Sequence, residues 1–228
     1  MITIYWHCLD TTEADETFVA DALNELAQHL KDDPIKLPVS IKRLGDESGL
    51  AKEVDAILHK LTNPSYTFSR CVKETFELFV RLSVLDKTCP AQLLVYCPDS
   101  PIANAARKEN PKAEWGATAP IGGFITHEYK SRIDSEDLSF MRENFLCAVY
   151  KPNSKVTVWH EILHLLGAVD CYDNNDPYRP LPKDVCSLGC ACIMWYAPTQ
   201  ETVKRWPFLC ERNVKMLKRV CNRHIKAK

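Results

Sequence analysis

One stretch, residues 156–170, constrains the fold and the chemistry of this chain more than any other. It reads VTVWHEILHLLGAVD. His160 and His164 are four residues apart, so on a helix they project from the same face, about one turn from each other. That spacing allows two imidazole nitrogens to bind a single tetrahedral zinc ion. Glu161 follows His160 at the edge of this face, close enough to act on a metal-bound water.

The opposite face of the same helix is apolar, in the i, i+3, i+4, i+7 pattern of a helix that packs against a core. The apolar residues are Trp159, Ile162, Leu163 and Leu166.

Gly167 follows at the position of a helix C-terminal glycine, where a positive φ is needed. A sharp turn there would bring Asp170 back to the metal as a third ligand. A bare HExxH can arise by chance in an amphipathic helix, and the extension to Gly167 and Asp170 favours a metal site.

Just over twenty residues further on, residues 192–196 read CIMWY. A sequence HExxHxxGxx(H/D) followed by a methionine turn resembles the metzincin clan of zinc peptidases. The resemblance covers roughly residues 159–196. It implies that Met194 forms a hydrophobic floor beneath the zinc, and that Tyr196 donates a hydrogen bond to the oxyanion.

Asp170 stands where most metzincins have a third histidine, and in this it resembles the snapalysin-like branch. A His-His-Asp ligand set leaves the zinc less positive than three histidines, so a bound water should be a weaker acid. Glu161 would then have to do more of the proton abstraction. In the alternative interpretation Asp170 does not bind the metal itself but contacts a residue that does, and the third ligand lies elsewhere.

The chain has eleven cysteines, an odd number that cannot pair fully within one molecule. Cys171 and the Cys-x-Met of residues 192–194 resemble archaemetzincins, which carry a second, structural zinc on four cysteines, the last two in a CxxC. Here that CxxC position reads CERN, so one thiol is missing, and Cys186 or Cys190 could replace it. A structural zinc, local disulfides and free thiols remain open; a reducing compartment favours metal or thiols. The cluster consists of Cys171, Cys186, Cys190, Cys192 and Cys210.

Composition places the chain among ordinary globular proteins. Its 228 residues are 46% hydrophobic and 26% charged, with a formal net charge of -1, which gives no global argument for nucleic acid or membrane partners. No stretch reaches the roughly 18 apolar residues of a membrane span. The N-terminus has no basic region followed by an apolar run, so no secretory signal is predicted. We therefore expect a cytoplasmic protein.

The pattern of elements predicts an α+β fold, and the resemblance implies a zincin or metzincin-like one with a twisted mixed sheet. We expect a single domain, with an N-terminal lobe over residues 1–167 and a C-terminal lobe over residues 168–228. Surface loops are predicted at 98–120 and 172–183. Strands are predicted at 1–9, 35–44, 92–97, 121–129 and 144–150, and helices from Thr11 or Thr12 to 30, at 46–61, at 68–85 and within 200–224.

In metzincins the second-last strand before the active-site helix lines the cleft. This strand binds an extended peptide by antiparallel backbone pairing. The segment 121–129, IGGFITHEY, is the candidate here. Gly122, Gly123 and Phe124 are its substrate-facing residues, because glycines let a substrate backbone approach closely. An ordinary strand weakened by glycine is an equal alternative.

These features together predict a zinc-dependent endopeptidase that acts on protein or peptide substrates. One alternative is an inactive module that keeps the zincin fold and the metal. Another is a nucleic-acid-associated protease that uses the basic C-terminal helix around Lys215, Lys218 and Arg219. The near-neutral net charge makes the nucleic-acid alternative the weaker one.

Overall fold

The computed structural model describes residues 2–32, 35–45, 49–81, 91–97, 116–119, 146–149, 155–173, 176–189, 192–195 and 209–226. The strands in these ranges are β1 (Ile2–Cys8), β2 (Val39–Arg43), β3 (Ala91–Tyr96), β4 (Gly116–Ala119), β5 (Leu146–Val149), β6 (Tyr172–Asp173) and β7 (Asp176–Pro180). The helices are α1 (Glu13–Lys31), α2 (Leu50–His59), α3 (Phe68–Arg81), α4 (Lys155–Leu165) and α5 (Glu211–Lys226), with a 3-10 turn at Lys60–Thr62.

The main sheet is mixed, with the strand order β2-β1-β3-β5-β4. The pairs β1–β2, β1–β3 and β3–β5 are parallel, and β4 pairs antiparallel with β5 at one edge. The apolar run at 92–97 was predicted as a central strand, and β3 confirms it. Its residues Leu93, Leu94 and Val95 are fully buried, as expected for a parallel strand covered on both faces. The α+β class is therefore confirmed.

Helix α1 begins at a capping box, as the threonine at its start predicts. Thr12 Oγ1 accepts a hydrogen bond from the backbone N–H of Asp15, and the Asp15 carboxylate accepts one from the N–H of Thr12. These two bonds satisfy backbone donors that the first turn of a helix leaves without partners. The buried face of α1 packs against α4.

Trp159 joins these two helices by a hydrogen bond. Its side chain is fully buried, and its indole Nε1–H donates a hydrogen bond of 2.7 Å to the carbonyl of Ala22 in α1. Ile162, Leu163 and Leu166 are also fully buried, so the predicted apolar stripe is confirmed. His160 and Glu161 on the other face are only 8% and 7% exposed. Helix α4 is therefore enclosed on both faces.

Two segments predicted as loops contain strands. Residues 116–119 lie within the predicted loop 98–120 and form the antiparallel strand β4, the outermost of the described strands on this side of the sheet. Their sequence, GATA, has low β-propensity, and the strand forms because β5 offers a pairing partner. The predicted edge strand at 121–129, with Gly122, Gly123 and Phe124, lies outside the described residues.

The predicted loop 172–183 contains the hairpin of β6 and β7, which pairs Tyr172 with Pro180 and Asp173 with Asp176 across a register shift. Proline at positions 177 and 180 suggested a loop, but edge strands and irregular pairs tolerate proline. The division into lobes at residue 167 stays a prediction. Among the described helices, none combines the length and the apolar character needed to cross a bilayer.

Replacing Trp159 with alanine should destabilise the protein by about 3–5 kcal/mol, the range for removing a buried tryptophan side chain. The loss combines a cavity between α1 and α4 with the removed hydrogen bond to Ala22. Urea unfolding measures the change. The control is Asn24→Ala at an exposed position of α1, which should stay within about 0.5 kcal/mol of wild type. If Trp159→Ala were as mild as the control, this side chain would not join the two helices.

Candidate metal centres

Helix α4 ends in a glycine cap that reverses the chain. Gly167 has φ 95°, and its N–H donates to the carbonyl of His164 at 3.0 Å, while the N–H of Ala168 donates to Leu163 at 2.8 Å. This pair of bonds is the Schellman motif, which needs a left-handed residue that glycine adopts without strain. The positive φ predicted for Gly167 is confirmed. The turn directs the following residues back toward the histidines.

As a result, Asp170 reaches both histidines of α4. Nε2 of His160 and Nε2 of His164 are 3.1 Å apart. Oδ1 of Asp170 lies 3.5 Å from the first and 3.1 Å from the second. The three side chains form one group that could hold a metal ion. The structure thus brings together the three residues that the sequence predicted as ligands; we call this group the histidine centre.

The other ring nitrogen of each histidine is held by a backbone carbonyl. Nδ1 of His160 lies 2.8 Å from the carbonyl oxygen of Ile193, and Nδ1 of His164 lies 3.0 Å from that of Ala168. A carbonyl oxygen only accepts hydrogen bonds, so each Nδ1 donates its proton. In the neutral rings the Nε2 lone pairs then point into the centre. Histidines that bind metals are usually oriented in this way.

The distances fit a tetrahedral zinc ion. With zinc bonds of about 2.0–2.1 Å, ligand atoms lie roughly 3.3–3.4 Å apart. The observed separations of 3.1, 3.1 and 3.5 Å lie on either side of that value. In addition, Oδ1 of Asp170 is buried and has no well-aligned hydrogen-bond donor. A cation at this point would satisfy three acceptor atoms at once, so the residues fit the metal that the sequence implies.

In the absence of a metal, a proton can take its place. Burial lowers the pKa of His164, but the adjacent Asp170 carboxylate and the charge of Glu161 outweigh burial and raise it to about 9. Burial would raise the pKa of Asp170, yet the adjacent His160 and His164 rings hold it well below its usual range. A metal ion and a proton therefore compete for the same pocket.

Four of the predicted cysteines form a second group. Their sulfur atoms lie within 4.8 Å of one another, and all four residues are buried. We call this group the cysteine centre. The Sγ atoms of Cys171 and Cys210 are 3.6 Å apart, far from the roughly 2.05 Å of a disulfide and close to the roughly 3.8 Å between sulfurs on a tetrahedral zinc. The four residues are Cys171, Cys186, Cys192 and Cys210.

The cysteine centre supplies its fourth sulfur through Cys186, one of the two replacements that the sequence left open. The other candidate, Cys190, lies outside the described residues. All four thiols are free cysteines, so the structure shows no disulfide among them. For these four described cysteines, a structural metal and free thiols are the remaining interpretations.

The thiols of the cysteine centre differ in the direction of their pKa shifts. Hydrogen bonds with Cys192 and Cys210, together with burial, raise the pKa of the Cys171 thiol far above its ordinary value. The pKa of Cys210 is lowered, because Cys171 and Cys192 donate hydrogen bonds to its sulfur. Cys210 is therefore more easily deprotonated than Cys171. A divalent cation would release the remaining protons, since only thiolates bind metals.

The turn at residues 192–195 touches both centres. Cys192 belongs to the cysteine centre, and the carbonyl of Ile193 orients His160. The carbonyl of Met194 accepts a 2.8 Å hydrogen bond from the N–H of Cys171, and the Met194 side chain is fully buried. A turn with a buried methionine is therefore present. The role of Met194 as the floor beneath the metal stays a prediction.

Sequence reasoning missed the two carbonyls that orient the histidines. Ala168 follows the capping glycine and Ile193 precedes the methionine, so both lie beside predicted positions. Main-chain carbonyls carry no signature in the residue type, and only the fold reveals them. Tyr196, the predicted oxyanion donor, lies outside the described residues.

The fold and these two groups define the class: an α+β protein with two candidate metal centres. No protein-family model, curated protein or solved structure shows significant similarity to this chain. The assignment beyond this class therefore depends on the residues and their geometry.

In metal-free protein, the ring of His164 should titrate with a midpoint near 9, well above its ordinary 6.5. The Cε1–H resonance in a pH series measures this. With zinc bound, the ring should not titrate over that range, because the metal occupies the nitrogen. The proton stabilises the metal-free fold, and this contribution is complete below pH 6.5 and is lost as pH rises through about 9. A midpoint at or below 6.5 would contradict the proposed pairing with Asp170.

Proposed function

We propose that this protein is a zinc-dependent endopeptidase with a zincin or metzincin-like fold. One observation carries the proposal: two imidazole nitrogens and a carboxylate oxygen converge within 3.5 Å, and a second carboxylate, Glu161, directly follows the first ligand. Three protein ligands with a further position open to water are typical of catalytic zinc, whereas four ligands are typical of structural zinc. The histidine centre has the ligand number of the first arrangement and the cysteine centre that of the second.

A zinc ion at the histidine centre would supply Lewis-acid chemistry, because it lowers the pKa of water and polarises a carbonyl. The protein side chains would do the remaining work. His160 and His164 would bind the ion with rings of fixed orientation, since a backbone carbonyl holds the far side of each ring. Asp170 would add a negative charge, which would make the attacking water a weaker acid than with a third histidine.

Glu161 is the proposed general base. It is 7% exposed, and a carboxylate in such an enclosed position can take a proton from the attacking water and return it to the leaving amine. The negative charge of Asp170 increases the share of proton abstraction that Glu161 must provide. Tyr196 is the proposed hydrogen-bond donor to the oxyanion; its role comes from the resemblance to metzincins.

The edge strand β4 is a candidate surface for an extended peptide. It pairs antiparallel with β5, the strand that precedes α4, and within the described ranges no strand covers its other edge. Helix α4 contacts β4, so a peptide added to this edge by backbone hydrogen bonds would extend the sheet beside the helix that carries the two histidines. The sequence assigned this role to residues 121–129, and β4 is now a second candidate.

Replacing Glu161 with glutamine should abolish peptide hydrolysis while metal binding is kept. The amide cannot accept the proton, and losing a general base costs about 10²–10⁴-fold in rate. The measurement is turnover of unfolded casein and of a mixed peptide library, with zinc content determined on the same samples.

The matched control is Glu13→Gln, an exposed position at the start of α1, which should leave turnover unchanged. An active Glu161→Gln variant would sink the peptidase assignment. A wild-type protein that holds zinc at the histidine centre but cleaves nothing would instead support the inactive binding module.

A further inference from the structure

We propose that Asn213 is a positioning residue that couples the two centres: it fixes the backbone that carries Asp170 and at the same time binds the sulfurs of the cysteine centre. The inference rests on the metal-binding role of the histidine centre proposed above. Asn213 makes its hydrogen bonds to the backbone of Val169 and to the sulfurs of the cysteine centre.

Asn213 holds Val169 at two points. Its Oδ1 accepts a 2.9 Å hydrogen bond from the N–H of Val169, and its Nδ2 donates one of 2.9 Å to the carbonyl of the same residue. Two bonds to one residue fix the peptide planes on both sides of it. Because Val169 directly precedes Asp170, this clamp sets the direction in which the third ligand leaves the backbone.

The same amide group reaches the cysteine centre. Nδ2 lies 3.4 Å from Sγ of Cys171 and 3.7 Å from Sγ of Cys210. An amide nitrogen carries two hydrogens, so one can bind the carbonyl of Val169 while the other faces the sulfurs. N–H groups aimed at thiolates stabilise their negative charge, and groups that support metal ligands in this way tune the metal site.

The position of Asn213 in the sequence supports a special role. It stands three residues after Cys210, where the resemblance to archaemetzincins would place a second thiol, and Cys186 supplies that sulfur instead. A thiol at position 213 could not clamp both backbone groups of Val169. Asn213 is also fully buried, and a buried amide is retained only where its hydrogen bonds are made.

The neighbours of Asp170 are held on both sides. The N–H of Ala168 is bound by the cap of α4, and the N–H of Cys171 is bound by Met194. Asn213 adds the clamp between these two points, at Val169. Removing it would leave the segment attached at its ends but free to shift at the residue before the ligand. The histidine centre should then lose metal affinity, although its three ligands remain.

The test compares metal binding in wild type, Asn213→Ala and Asn213→Asp. The histidine Cε1–H resonances during a zinc titration report the histidine centre, and the thiolate-to-metal charge-transfer absorption during a cobalt titration reports the cysteine centre. Both Asn213 variants should weaken zinc binding at the histidine centre by about 10–100-fold, the range for groups that support metal ligands. In Asn213→Asp the donors are lost and a negative charge faces the sulfurs.

Leu217→Ala is the matched control, because Leu217 is equally buried one turn further along α5 and carries no polar group. It should lower the free energy of unfolding but leave the zinc affinity of the histidine centre unchanged. Wild-type affinity in Asn213→Ala, or an equal loss in Leu217→Ala, would overturn the inference. If Asn213→Ala does not fold, the nearly isosteric Asn213→Asp decides in the same way.

Failure of this inference and failure of the proposed function give different results. Zinc at the histidine centre of wild type without any peptide cleavage would remove the peptidase and leave the coupling intact. Cleavage by wild type together with unchanged zinc affinity in Asn213→Ala would remove the coupling and leave the peptidase. Absence of zinc from the histidines of wild type would overturn both.

Discussion

The structure depends on the convergence of three acceptor atoms, Nε2 of His160, Nε2 of His164 and Oδ1 of Asp170, within 3.5 Å of one another. Three lone pairs at this distance repel unless a cation or a proton lies between them. The surrounding fold keeps them there: a glycine cap turns the chain back, and two carbonyls hold the imidazoles. Such a fixed and partly buried arrangement of acceptors is the physical basis for a candidate metal site.

The second constraint is that the two centres share their backbone. Asp170 and Cys171 are adjacent in sequence but belong to different centres, and Cys192 is followed by Ile193, whose carbonyl orients His160. A metal on the cysteines would therefore hold in place both segments on which the histidine centre depends. Such a metal would have a structural role, because the described residues between α4 and α5 form only a short hairpin and turns.

The sequence predicted what is encoded locally. The spacing of His160 and His164, the cap at Gly167 and the stripe around Trp159 all depend on residues within two or three helical turns, and the structure places them as expected. It did not predict β4, because GATA has weak β-propensity and the strand forms through pairing with the distant strand β5. It did not predict the β6–β7 hairpin, because the prolines at 177 and 180 indicated a loop. The choice of Cys186 and the clamp by Asn213 likewise depend on how distant segments pack. Residue type alone gave no signal for them.

The most direct test of the central claim is the zinc content per chain, measured on protein purified without added metal, for wild type and for His164→Ala. We expect two zinc ions per chain in wild type, one at each centre, and one in the variant, because the cysteine centre keeps its own. His59→Ala, which removes an exposed histidine on α2, should retain both. A zinc content that is the same in wild type and His164→Ala would contradict the account, since the histidine centre would then hold no zinc.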